Sequence, residues 1–235
     1  MPEGHVTAIL SGNDAWNMQR NMPVALTRPY LDGVPFGDLR QLELVLTPHG
    51  FLKAALAASS ATAISLPIVG PSDFGLSQNG RKVTIVSFTM LGKYKVNGTI
   101  NDQNLVELVD TWFPNPVYGD MDYEMRYTQY QDFGGVKFPT LVHVHQGDPR
   151  LNPAHNYYKL KVTSVKANVA VPTMRVPDAV RQATAPPVNV ESQKLADGVW
   201  LLGGGTHNSM LVEFRDFVAV LEARVNEARS LAVIR

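Results

Sequence analysis

Cysteine is missing from all 235 residues. That removes disulfides, thiolate-bound zinc and a thiol nucleophile at once, and it leaves the redox compartment open. Net charge is missing as well: Lys and Arg number 21, Asp and Glu number 21, and no segment gathers the basic residues. Nucleic acid is therefore not expected as a partner, because binding it takes a basic stripe that displaces counterions from phosphate. No run reaches the ~20 apolar residues that span a bilayer, so no membrane span is expected. The longest candidate, Ala54–Val69, is broken by serines, Thr62 and Pro67. The opening MPEGHVTAILSGNDAW has neither the basic flank nor the apolar centre of a signal peptide, so no leader is expected in this sequence and the compartment stays unassigned.

What is present is a chain with 45% apolar residues, enough for a packed core. Residues 1–40 are punctuated by Asn13-Asp14, Pro23, Pro29, Asp32-Gly33, Pro35 and Gly37. They read as an irregular lead-in with one short strand around Ala15–Asn17. Asp38–Leu46 places Leu39, Leu42, Leu44 and Leu46 between charges and reads as a helix. Thr47-Pro48 is a start signal, Thr at the cap and Pro at the first helical position. Phe51, Leu52, Ala55 and Leu56 then share a face, and the helix ends near Ser59-Ser60.

From Ala61 the pattern turns to strands: Val83–Met90, Lys93–Val96, Thr99–Asp102, Leu105–Phe113, Tyr123–Gln131, Val136–Gln146 and Tyr157–Val165. Asn97-Gly98 reads as a hairpin turn, Gly134-Gly135 as another, and Gly147–Pro153 as a longer separator. The expected class is α+β over residues 41–170, a helix pair with a curved antiparallel meander of about six strands closing its apolar side on the helices. That arrangement is similar to the incomplete barrel of periplasmic lipoprotein-carrier proteins, which implies either a filled core or a cavity for an apolar ligand. Residues 171–192 carry Pro172, Pro177, Pro186 and Pro187 and read as a linker with one helical turn at Asp178–Ala183.

The tail, 193–235, changes character. Gly198–Leu202, Ser209–Phe214 and Phe217–Leu221 are short apolar runs joined by turns, and Val225, Ala228, Leu231 and Ala232 then recur at helical spacing behind Asn226. The stretches GVWLLGGGTHNSMLVEF, DFVAVLEA and NEARSLAVI resemble the opening of metallo-β-lactamase-fold hydrolases, an αββα fold that begins with a meander, a strand ending in an acidic residue, and a helix. VNGTINDQNLVELVDTWFPNPVYGDM and YQDFGGVKFPT are similar to the β-rich domain that some bacterial members carry upstream. The resemblance spans Leu42 to Ile234 and implies a zinc hydrolase of a lactam, ester or thioester, often exported to the periplasm. The family's H-x-H-x-D-H ligand motif is absent from these residues. The expectation is an N-terminal portion with no metal ligand or cofactor of its own, inactive alone, whose parent binds zinc and a small-molecule substrate. The resemblance departs at Arg224 and Ala228, where close relatives tend to have proline and a second acidic residue.

The resemblance places His207, Asn208 and Ser209 near the substrate groove, and Glu222 beneath the metal site where a carboxylate orients a ligating His. The plain alternatives are a glycine-dependent turn with polar residues satisfying its backbone, and an ion pair of Glu222 with Arg224 or Arg229. His143 and His145 share one strand face and pose a metal pair against ordinary hydrogen-bonded imidazoles, with His155 further on. Asp120, Asp122 and Glu124 read as a solvated turn without the glycine and terminal Glu of a calcium loop. Asn97-Gly98-Thr99 matches a glycosylation acceptor and is accounted for by its turn. Leu201, Leu202, Met210, Val212, Phe217, Val218 and Val220 lack the second sheet of the complete fold; leaving them wet costs on the order of 10 kcal/mol at ~25 cal/mol/Å². Docking on the preceding domain, poor order, or self-association through 198–222 is the expected outcome.

Overall fold

The computed structural model describes residues 6–27, 33–67, 81–115, 119–147, 155–204, 207–222 and 227–235. Its first element is a three-stranded antiparallel sheet, β1 (Val6–Ser11), β2 (Asp14–Gln19) and β3 (Met22–Ala25). The short strand expected around Ala15–Asn17 lies inside β2, and the irregular chain expected around it is corrected to two further strands. The signal was hidden because the β2–β3 turn uses Arg20 and Asn21, both at positive φ (50° and 62°), where the usual sequence marker is glycine. Trp16 is buried at the centre of this sheet.

Two helices follow, α1 (Phe36–Val45) and α2 (Pro48–Ala57). Thr47 Oγ1 accepts from Gly50 N at 3.2 Å and Pro48 opens α2, as the sequence indicates. Leu56 departs from the expected apolar face and is exposed, whereas Phe51 is fully buried. Gly37 lies where a Cβ would strike the Asn13 carbonyl, so α1 begins flush against the β1–β2 turn.

The main sheet has seven antiparallel strands in strict chain order: β4 (Thr62–Pro67), β5 (Lys82–Met90), β6 (Tyr94–Ile100), β7 (Val106–Asn115), β8 (Gly119–Asp132), β9 (Lys137–Gln146) and β10 (His155–Lys161). One face packs on the helix pair. Leu39, Leu42, Leu46 and Phe51 interdigitate there with Phe88, Val96, Val109, Phe113, Tyr123, Met125, Tyr127 and Val144. Tyr127 donates its hydroxyl to the Leu46 carbonyl, tying the corner between the helices to the sheet.

The hairpin expected at Asn97-Gly98 is corrected. Both residues lie inside β6, and the β5–β6 turn falls at Leu91-Gly92, with φ of 52° and 70°. Gly98 serves contact instead of turning, since any Cβ there would be driven into the Phe51 ring. The glycosylation acceptor is thus a strand residue whose amide donates to Asp110 Oδ1 at 3.1 Å. Gly134 and Gly135 do form the β8–β9 turn at positive φ, with Asp132 Oδ1 accepting from Gly135 N at 2.7 Å. Asp120, Asp122 and Glu124, read as a solvated turn, lie within β8.

Beyond β10 a short helix α3 (Asp178–Arg181) stands in the proline-rich stretch, and Ser11 donates to the Met174 carbonyl at 2.7 Å. The tail forms a four-stranded antiparallel sheet, β11 (Glu191–Ala196), β12 (Val199–Gly203), β13 (Ser209–Glu213) and β14 (Val218–Leu221), then α4 (Glu227–Val233). Strand β11 has no counterpart in the sequence reading. Asn226, expected to cap the last helix, lies outside the described residues.

Candidate functional site

Two places gather polar side chains. The first is the turn end of the tail sheet, where the four candidates from the sequence lie. His207 and Asn208 are exposed in the approach to β13. Ser209 is buried, and its hydroxyl donates to the Glu222 carbonyl at 2.6 Å. The structure thereby brings Ser209 and Glu222 together through the Glu222 backbone, while the Glu222 carboxylate is exposed at a residue with φ of 61°. Behind this corner stands Arg229 of α4, with 5% of its surface exposed. Its guanidinium donates to the Asn189, Leu202 and Gly203 carbonyls, so one side chain fixes the start of β11, the end of β12 and α4. Gly204, at φ 89°, lets the Asn189 carbonyl approach where a Cβ would collide. Sequence reading named Arg229 only as a partner for Glu222; its role as a carbonyl clamp depends on a fold contact.

Register divides the tail sheet into two faces. Trp200, Leu202, Ser209, Leu211, Val218 and Val220 share one, where Leu202 is buried and Val218 exposed. Leu201, Met210, Val212 and Leu221 share the other, and of these Met210 and Leu221 are exposed. Within the β13–β14 turn, Phe214 and Phe217 stack on each other at 4.6 Å between centroids, both exposed.

The second place is the main sheet's face opposite the helices. Cross-strand register lines up Ser87, Asn97, Asp110, Glu124, His145 and Asn156 from β5 to β10, with Arg126, His143 and Lys159 in the next line. Glu124 is 4% exposed and accepts from Arg126 through both oxygens, at 2.6 and 3.2 Å. Burial pushes the Asp110 carboxyl up to about 6, with the Glu124 charge adding and the Asn97 hydrogen bond opposing. Burial lowers His143, and Lys159 and Arg126 lower it further. His145 is lowered by burial against the pull of Glu124. His143 and His145 do share a face, with rings 6.0 Å apart.

Sequence reading found the histidine pair but not the row it belongs to. The available signal was the period-two run Asp120, Asp122, Glu124, Arg126, which marks a strand face rather than a turn.

Among the described residues no three His, Asp or Glu side chains converge as metal ligands. No helix among them is long and apolar enough to cross a membrane. No family model, curated protein or solved structure matches the chain.

Proposed function

We propose that residues 191–235 are the opening layer of a metallo-β-lactamase-fold zinc hydrolase, preceded by a β-rich domain, and that these 235 residues alone hydrolyse nothing. The observation that carries this reading is the two-faced tail sheet. It is apolar on both sides, with Val218 open on one and Met210 and Leu221 open on the other. A sheet of that kind is stable as the inner layer of a sandwich, where a second sheet covers an open side. In this reading His207, Asn208 and Ser209 border the substrate groove, Glu222 stands behind a metal ligand, and the H-x-H-x-D-H residues come from outside this sequence. The substrate is a small lactam, ester or thioester, attacked by metal-activated water in the complete protein.

The reading predicts sub-stoichiometric zinc by elemental analysis of the 235-residue chain, no turnover of lactam or ester substrates, and a reading frame that continues past codon 235 into H-x-H-x-D-H. Stoichiometric zinc accompanied by hydrolysis, or a frame without that motif, overturns it.

A further inference from the structure

Asp110 on β7 and Glu124 on β8 are directly opposed in register, which sets their Cβ atoms about 5 Å apart on one sheet face. Among the described residues one cation is hydrogen-bonded to the pair, and a second, Lys95, acts on Asp110 through its charge alone. Arg126 engages both oxygens of Glu124, whereas Asp110 receives a hydrogen bond from the neutral amide of Asn97. Like charges at opposed positions in a poorly hydrated place repel, and such a pair lowers its energy by holding one proton between two carboxylates. Arg126 holds the Glu124 carboxylate by both oxygens, which leaves Asp110 as the member of the pair without a bonded cation.

We propose that Asp110 and Glu124 share a single proton, carried on Asp110, and that this pair makes the outer face of the seven-stranded sheet a proton-responsive element. With the proton bound, Asp110 gains a donor that can face the Glu124 carboxylate, extending the line Asn97–Asp110–Glu124–Arg126 across β6, β7 and β8. With the proton lost, two charges oppose each other between β7 and β8. By register the other charged or titratable groups on this face around the pair include Lys95 on β6, Asp120, Asp122 and Arg126 on β8, His143 and His145 on β9, and Lys159 and Lys161 on β10. Both histidines are displaced toward the neutral form, and both are retained in the Asp110→Asn comparison below, so their own titration is common to the two proteins.

The sign follows from the folded carboxyl lying above its ordinary 3.8, at about 6. The native state binds more protons than the unfolded one between those values, so the pair's contribution to stability falls as pH rises through that window.

The experiment is a carbon-detected NMR titration of the side-chain carboxyls in the full chain. Asp110 is expected to titrate near 6 and at a lower midpoint in Glu124→Gln. An Asp110 midpoint in the ordinary carboxylate range, or one unmoved by Glu124→Gln, overturns the proposal. Because Glu124→Gln leaves Arg126 without its partner, Asp110→Asn provides the second arm. Relative to that variant, wild type is expected to lose thermal stability progressively between pH 4 and pH 6.5. Parallel Tm-against-pH curves overturn the proposal.

Discussion

The two larger sheets are built from the same antiparallel, chain-ordered strands, yet they finish differently. The seven-stranded sheet has a helix pair laid across one face, and Phe51, Val96, Val109, Phe113 and Val144 there are fully buried. The tail sheet has α4 tied to the end of β12 through Arg229, and Phe217 remains 62% exposed. Hydrophobic content runs the other way, since β12 to β14 are richer in apolar residues than β5 to β9. What separates the two sheets is whether a helix pair is laid across a face among the described residues. The more apolar strands are therefore the less covered ones, and a closed core depends on the layer that meets the sheet rather than on strand composition.

The strongest way to break the contrast is to open the closed side. Phe51→Ala is expected to cost about 3–5 kcal/mol in urea unfolding, the range for a buried aromatic removed from a core. Gly98→Ala should also destabilise strongly, because its Cβ is aimed at the same ring. The double variant should cost less than the sum, a coupling readable in a double-mutant cycle. Strict additivity would place the Gly98 constraint elsewhere.

Next in size is Arg229→Met. It leaves the Leu202, Gly203 and Asn189 carbonyls without a charged donor, and charge-assisted bonds contribute about 1.5–3 kcal/mol each before relaxation. Hydrogen exchange should accelerate in β11, β12 and α4 while β5 to β9 keep their protection. Equal acceleration throughout would show that the two regions unfold together.

A smaller effect distinguishes the polar face from the apolar one. His143 and His145 favour the neutral form when folded, so stability is full above their ordinary 6.5 and falls as pH drops through it. His145→Gln should flatten that acid-side loss in thermal melts. An unchanged slope would remove His145 from the row's electrostatics.

Smallest in stability terms is Phe217→Lys with Leu221→Lys. Exposed positions cost within about 0.5 kcal/mol when changed, so unfolding should barely move. Sedimentation at rising concentration should show less self-association than wild type if the open face joins copies in the absence of its cover. Equal sedimentation would limit that face to intramolecular partners.

Legibility in the sequence followed how local each cause was. Thr47-Pro48 and Gly134-Gly135 act within a few residues, and both do in the structure what their chemistry indicates. Gly98 misled because its reason for being glycine is Phe51, 47 positions earlier in the numbering. The β1–β3 sheet was only half marked, because Gly12 at φ 60° makes the β1–β2 turn whereas Arg20 and Asn21 make the β2–β3 turn without glycine. The polar row needed register: alternation places Asp110, Glu124 and His145 on strand faces, but only pairing across β7, β8 and β9 makes them neighbours. For the four tail candidates, sequence supplied proximity of His207, Asn208 and Ser209, and the fold added Glu222 by a backbone bond.

The strictly sequential strand order carries a kinetic consequence. No strand of the main sheet waits for a distant partner, so loop-closure entropy stays low and each hairpin can zip onto the last on a timescale of about microseconds. Helices α1 and α2 precede all seven strands in the chain, so during synthesis they emerge first. The growing sheet then meets a ready surface one hairpin at a time, and the chain is never asked to hold a finished apolar face in water while its template is still being made.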